Sequence, residues 1–213
     1  MPRTKTFDPE WALTKAMEVF RARGYGSTHM GKIAEHIGVS RSSLYATFGD
    51  KRTLFLSGLR RDAQAYRTEG MPDLGTSAAP RKAIIDLFES TFVEGGGATP
   101  PAGILLIRAA LELVPNDPEV SALVQDEVAV LEQNIRRGIE RAQTVGEIDS
   151  DVDAAQAAWA LLGLFLGTHL LLRSKPVLHA AARQVEALLP PPQESRRRGP
   201  GPVSPRPPKL SSE

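Results

Sequence analysis

The sequence has no cysteine in 213 residues and only 6% aromatic residues. Without cysteine this chain has neither disulfides nor thiolate metal sites. The four histidines (His29, His36, His169 and His179) are scattered, and the sequence contains neither an HExxH motif nor a glycine-rich phosphate loop. We therefore expect no catalytic residues, no metal site and no cofactor, and an enzyme is the least favoured class of function.

The sequence also shows no sustained strand alternation. The longest uncharged run spans residues 154–172, which is long enough to raise the question of a membrane span. Its Gln156 and His169, its two glycines and its many alanines favour a helix buried on two faces instead. Because residues 1–10 are polar, we expect no signal peptide and a cytoplasmic location.

Charge is distributed unevenly along the chain, although the total is only +1. Residues 1–68 contain 12 Lys or Arg and 6 Asp or Glu, whereas residues 69–189 contain 9 and 17. Residues 190–213 contain 5 and 2. A basic N-terminal unit on an acidic body is typical of a DNA-binding head joined to a domain with another role, although charge can also drift between segments by chance.

Residues 28–55 have the pattern of two short helices around a tight turn, followed by the start of a third. Gly38 suits the left-handed backbone that ends a helix, because it has no Cβ. Ser40 is a natural N-cap for the second helix. Leu44 and Phe48, four residues apart, supply the inner face of that helix. The segment is predicted to be a helix-turn-helix, the motif that places its second helix in the DNA major groove.

The same region resembles the DNA-binding domain of the TetR (tetracycline-repressor) family of regulators over about residues 8–60. The matching motifs are Phe20-Arg21-Ala22-Arg23-Gly24-Tyr25, Ile33-Ala34, Gly38-Val39-Ser40, Leu44-Tyr45, Phe48, Lys51 and Leu54-Phe55. The resemblance implies a sequence-specific transcriptional regulator, expected to be a repressor, whose first three helices bind DNA. It implies that the other helices bind a small-molecule effector and form a dimer.

The candidate DNA contacts lie on the second and third helices and just beyond them. They are Thr28, His29, Lys32, Ser40, Arg41, Ser42, Ser43, Tyr45 and Lys51. Arg41 has the geometry to read a guanine edge, and Thr28 is expected to cap the second helix at a phosphate. The resemblance assigns Tyr45 and Lys51 to phosphates. The alternative for each residue is a solvated surface position.

Two positions depart from the family pattern. His29 stands where the family often has Ser or Thr, and Gly31 stands where relatives carry a longer polar side chain. Because Gly31 has no side chain to read a base, we expect no base recognition from it, and Lys32 is expected to add a phosphate contact instead.

Helical signals continue through the rest of the chain, so the fold class is predicted to be all-α with about nine helices. Besides the two helices of the motif, helices are predicted at about 9–23, 50–66, 80–94, 102–114, 118–144 and 176–189, with residues 70–79 as a connector. A further helix is predicted to begin at Asp151 or Asp153 and to reach Ser174. The predicted domains are a helix-turn-helix domain at 6–66 (motif about 29–48) and an effector-binding and dimerisation domain at 78–189. Residues 190–213, with eight prolines, are predicted to be a disordered tail.

Candidate ligand and dimer residues lie in the acidic body. The candidate pocket residues are Phe88, Phe92, Ile104, Arg108 and Leu111. Arg108 is expected either to bind an anionic ligand or to form an ordinary ion pair, for example with Glu112. The candidate dimer contacts are Trp159, Leu162, Gly163, Leu166, Gly167 and Leu170, because small residues four apart allow close helix approach. Residues 101–120 also resemble a TetR branch that has cysteine after the glycine; Ile104 stands there, so thiol sensing is excluded.

The expected partners are a double-stranded, palindromic operator, a second copy of the chain and an unidentified small-molecule effector, with no membrane. The alternative function is that of an architectural or ligand-independent DNA-binding protein. A cavity in the body favours the sensor, and a fully packed body favours the alternative.

Overall fold

The structure of the chain, a computed structural model, describes residues 7–93, 104–170 and 175–192; the side chains at 90–93, 104, 108, 169, 170, 175–180 and 182 fall outside this description. Across the described ranges the chain forms nine α-helices and no strand, which confirms the predicted all-α class. The helices are α1 (Pro9–Arg23), α2 (Met30–Ile37), α3 (Arg41–Phe48), α4 (Lys51–Ala65), α5 (Pro80–Val93), α6 (Ile104–Leu113), α7 (Pro118–Thr144), α8 (Ala154–Leu170) and α9 (Lys175–Leu188).

The ends of the N-terminal helices are fixed by local chemistry. Asp8 caps α1 by accepting a hydrogen bond from Glu10 N at 2.9 Å, with Pro9 in the first turn. Gly38 ends α2 in the left-handed conformation at φ +77°, as predicted. Ser40 then caps α3 through Ser43 N at 3.0 Å. These caps give the helix-turn-helix its tight turn.

The first hydrophobic core joins the N-terminal helices to the body. Its centre is an aromatic group in which Phe55 packs against Phe20 with 5.0 Å between ring centroids and against Tyr25 with 4.8 Å. Leu105 and Ala109 of α6 are buried in the same cluster. Helix α6 therefore packs directly on the DNA-binding head, across the predicted boundary between the two domains.

The second core lies between α5, α7, α8 and α9. Phe88 packs edge-on against Phe165 with 5.7 Å between ring centroids, and Ile135 and Ile139 of α7 are fully buried beside them. This cluster supports α7 and α8, which carry the candidate ligand and dimer surfaces.

The predicted connector between head and body is locally ordered. A π-helical turn at Tyr66–Gly70 leads into it from α4, and it contains a short 3₁₀ turn at Leu74–Thr76. Asn134 of α7 accepts a hydrogen bond from Leu74 N at 3.2 Å and donates one to Pro72 O at 2.8 Å. The connector is therefore fixed to α7.

Two further expectations concern the C-terminal part. Within the described ranges every helix is too short or too polar to cross a bilayer. The predicted disordered tail lies outside the described residues from position 193 onward.

Candidate nucleic-acid interface and ligand cleft

Helix α3 presents its N-terminal turn to solvent while its inner face holds it on the head. Leu44 is fully buried in the first core. Arg41 and Ser42 are exposed, and Tyr45 is 50% exposed although it is a large aromatic residue. The two long side chains that a groove-binding helix needs, Arg41 and Tyr45, thus project from the same short helix.

The serines around Arg41 form a hydroxyl cluster. The Ser40 hydroxyl lies 2.9 Å from the Ser42 hydroxyl and 2.8 Å from that of Ser43, and it accepts from Ser43 N. Ser43 is half-buried, whereas Ser42 is exposed. Of the three predicted serine contacts, Ser40 and Ser42 are exposed, and Ser40 also acts as the helix cap.

The prediction that Thr28 caps α2 is wrong. The N-cap is the next residue, His29, whose side chain makes no capping hydrogen bond. Thr28 is fully buried, and its hydroxyl donates to Gly24 O at 2.6 Å, which stabilises the turn between α1 and α2. His29 and Lys32 are exposed at the start of α2, so these two side chains remain available to a phosphate.

Lys51, the predicted phosphate contact at the start of α4, is half-buried beside Tyr25. Its ammonium donates to Tyr25 O at 3.1 Å and lies 3.9 Å from the centroid of the Tyr25 ring. Burial and the nearby Asp50 carboxylate raise the pKa of Tyr25, so the phenol is neutral at physiological pH. Lys51 is thus positioned by the aromatic group of the head.

Gly31 of α2 lies directly under the Arg41 side chain. A Cβ placed on Gly31 would stand 2.5 Å from Arg41 Nη2 and 2.8 Å from both Arg41 Cζ and Nε. The guanidinium therefore rests against the bare backbone of α2. The sequence shows that position 31 has no side chain, but it does not predict this contact with Arg41.

The acidic body contains a cleft of about 190 Å³ between α6, α7 and α8. It is lined by the apolar side chains of Leu106, Ile107, Ala110, Leu111, Val124, Val128 and Leu166. Leu111, a predicted pocket residue, is 58% exposed, so the cleft is open to solvent on that side. An apolar lining favours an apolar ligand group.

The other predicted pocket residues have different outcomes. Phe88 is not among the residues that line this cleft, because its ring packs into the second core against Phe165. The side chains of Phe92, Ile104 and Arg108 lie outside the described residues. Among the residues that are described, no three His, Asp or Glu side chains are grouped as metal ligands.

Helix α6 is joined to the head near both of its ends, which the sequence did not indicate. Near its start, Leu105 N donates to the fully buried carboxylate of Asp62 at 3.3 Å, and Asp62 also pairs with the Arg21 guanidinium. Near its end, the Glu112 carboxylate accepts from Tyr25 N at 2.9 Å and from Gly26 N at 3.0 Å. Glu112, which sequence reasoning offered to Arg108, is thus bound to the turn before α2.

Ion pairs also connect α4 with the start of α7. Arg52 reaches Asp117 at 3.0 Å and Glu119 at 2.8 Å, and Arg60 reaches Glu119 at 2.5 Å. The hydrogen bond from Arg52, together with the amide of Val120, holds the pKa of Asp117 below its usual value. Asp117 is both the N-cap of α7 and a contact of the head.

The predicted dimer residues divide between two faces of α8. Trp159 is 57% exposed, and no atom of the described residues lies within 4 Å of the place that a Cβ would occupy on Gly163 or Gly167. The prediction of Leu162 as a dimer contact is wrong. Its side chain lies on the inner face of α8 and is buried in the second core. Leu166 lines the cleft. The Leu170 side chain falls outside the described residues.

An exposed helix-turn-helix on a helical body defines a DNA-binding regulator. Residues 12–57 match the family model described as bacterial regulatory proteins, tetR family. Residues 81–188 match the tetracyclin repressor-like C-terminal domain. The chain belongs to the TetR family.

Known proteins similar to this chain agree with that assignment. The HTH-type transcriptional regulator YezE of Bacillus subtilis is 32% identical over 157 residues, which are 72% of this chain and 81% of YezE. The HTH-type transcriptional repressor ComR of Escherichia coli is 27% identical over 157 residues, 73% of this chain and 75% of ComR. The TetR family regulator CifR, solved as a cysteine mutant on 26-bp operator DNA, superposes with a TM-score of 0.72 at 25% identity, covering 88% of this chain and 100% of CifR.

Proposed function

We propose that the protein is a repressor that binds a palindromic operator as a homodimer and is released by a small molecule with an apolar group. The observation that carries the release step is the position of α6. This helix lines the cleft with Leu106, Ile107 and Ala110, and it is hydrogen-bonded to the head through Asp62 and Glu112. A ligand that moves α6 therefore acts on the position of the head.

The DNA contact is assigned to exposed residues at the start of α2 and on α3, together with the half-buried Lys51 at the start of α4. Arg41 reads a base edge in the major groove, and Ser42 and Tyr45 contact the adjacent backbone. His29, Lys32 and Lys51 are assigned to phosphates. The similarity to ComR, a repressor, and to CifR, which was solved on operator DNA, supports this assignment.

The dimer is assigned to the outer face of α8, together with α9. Trp159 provides a large exposed aromatic surface, and Gly163 and Gly167 leave open space for close approach of a second helix. Two-fold symmetry then places the two recognition helices about 34 Å apart, one turn of B-DNA, on a palindromic site.

Release requires that the ligand bind the free and the DNA-bound states unequally. Filling the cleft with protein side chain tests this without knowledge of the ligand. Ala110→Phe, inside the cleft, is expected to weaken operator binding on the order of 10-fold, within the usual range of allosteric coupling. Ala122→Phe, at an exposed position of α7, is the matched control and should leave binding unchanged. Equal operator affinity in both variants would favour the ligand-independent alternative.

The DNA contacts are tested by substitution and salt titration. Arg41→Ala should relax the base preference, whereas Lys51→Ala should weaken all sequences alike and lower the salt slope by about one. Lys82→Ala, at an exposed lysine of the body, controls for the loss of a positive charge. Equal salt slopes and unchanged preference in the Arg41 and Lys51 variants would contradict the assignment.

A further inference from the structure

Gly31 is the second residue of α2, at a position where its own backbone does not require glycine. The described glycines with positive φ are Gly24, Gly38, Gly49 and Gly146, so Gly31 has an ordinary helical backbone. Glycine lowers helix propensity relative to alanine, and it contributes no side chain to a DNA-facing surface. A reason for glycine at this position must therefore lie outside α2 itself.

The neighbour that fills the space above Gly31 is the functional end of Arg41. The three atoms nearest to a Cβ at position 31 all belong to the Arg41 guanidinium group, at 2.5 to 2.8 Å. A methyl group there would meet the flexible end of a side chain before any backbone. The fold of α2 therefore tolerates a side chain at position 31, but the observed position of the guanidinium does not.

We propose that Gly31 is a positioning residue for Arg41 and thereby determines which base the protein selects. This inference rests on the proposed reading of DNA by α3. The guanidinium lies over Gly31 of α2, and none of the ion pairs among the described residues uses Arg41. Its donors remain free for a guanine edge, while contact with the backbone reduces the rotamer freedom that binding must remove.

The consequence is a coupling between two positions ten residues apart. In a head with glycine at 31, Arg41 is held at the junction of α2 and α3, and α2 itself reads no base. With alanine at 31, the guanidinium must move away from α2, and its preferred base loses its advantage. The effect is confined to base preference, because the phosphate contacts are made by other residues.

The experiment is selection of bound sequences from a random duplex pool, carried out with the full chain. The variants are Gly31→Ala, Arg41→Ala and the double substitution. The matched control is Gly26→Ala, because a Cβ on Gly26 would lie 3.8 Å from its nearest atom, an ordinary contact. Salt titration and thermal unfolding accompany each selection.

The expected result is a loss of discrimination on the order of 10-fold at the same operator positions in Gly31→Ala and Arg41→Ala, since one bidentate base contact provides discrimination of that size. The double substitution should add nothing further, and Gly31→Ala should keep the wild-type salt slope and thermal midpoint. Gly26→Ala should select the wild-type sequence. Arg41→Lys, which leaves Gly31 in place, should lose the same positions because lysine lacks the planar fork.

Several results would overturn the inference. Selection of the wild-type sequence at full strength by Gly31→Ala is one such result. Equal weakening of all sequences by Gly31→Ala, together with a lower thermal midpoint, is another, because a structural role would produce it. Independent, additive effects of the two substitutions, or retained preference in Arg41→Lys, would also contradict it. If the wild-type chain enriches no sequence, both the proposed function and this inference fail. If the wild-type chain selects a palindrome and Gly31→Ala selects the same one, only this inference fails.

Discussion

Replacing Asp62 by alanine should strongly destabilise the protein, because this carboxylate joins three helices. It is fully buried on α4, pairs with Arg21 of α1, and accepts from Leu105 N of α6 at 3.3 Å. The Arg21 side chain is itself only 13% exposed, so its charge would remain largely buried without this partner. Removing one partner of a buried pair costs about 3–5 kcal/mol. That is a large share of the roughly 5–15 kcal/mol by which proteins are stable.

Urea unfolding of the full chain measures this effect. With a slope of about 2 kcal/mol per M, the loss corresponds to a lower midpoint by roughly 2 M. Protein concentration must be matched, because dimerisation raises apparent stability. Arg61→Ala is the control at the neighbouring position, where the pair with Glu10 is exposed and should contribute less than about 1 kcal/mol. Equal midpoints for the two variants would refute this assessment of Asp62.

Three further predictions concern the dimer, acid stability and coupling. Gly163→Leu should shift the chain toward monomer in analytical ultracentrifugation, because leucine fills the space left for the partner's helix; an unchanged dimer would exclude this face. Because Arg52 depresses the pKa of Asp117, the stability from this contact is complete above the unfolded value near 3.8 and is lost as pH falls through the lower folded value. The free energy of unfolding should therefore fall less between pH 6 and pH 3 in Asp117→Asn than in the wild-type chain. An equal fall in both proteins would contradict this prediction. Glu112→Gln should reduce the effect of Ala110→Phe on operator affinity, because the head would be bound less firmly to α6. Fluorescence anisotropy measures that affinity, and an undiminished effect would show that other residues couple the cleft to the head.

The helix-turn-helix was predictable because its geometry is set by neighbouring residues. Gly38 provides the left-handed turn, Ser40 caps the next helix, and Leu44 anchors it from a position four residues further on. The prediction for Thr28 failed by one position, because a threonine before a helix can cap it or bond back into the preceding turn. The choice depends on the path of the chain between α1 and α2.

The features that the sequence did not reveal depend on contacts between distant segments. Glu112 bonds to a turn 86 and 87 residues earlier in the chain. The rotation of α8 about its axis decides that Leu162 lies in the core and Trp159 on the surface. The nearly uniform apolar sequence of this helix does not specify that rotation. Phe88 is a similar case, since an apolar residue can line a cleft or fill a core until its helix is packed.

Sequence selection by the wild-type chain from a random duplex pool, with binding titrated against salt, most directly tests the proposal that α2 and α3 bind DNA and that α3 reads its bases. A palindrome whose half-sites are about one helical turn apart, bound by two chains with a steep salt dependence, is the predicted result. Recovery of no enriched sequence, or of one unpaired half-site bound by a single chain, would contradict it.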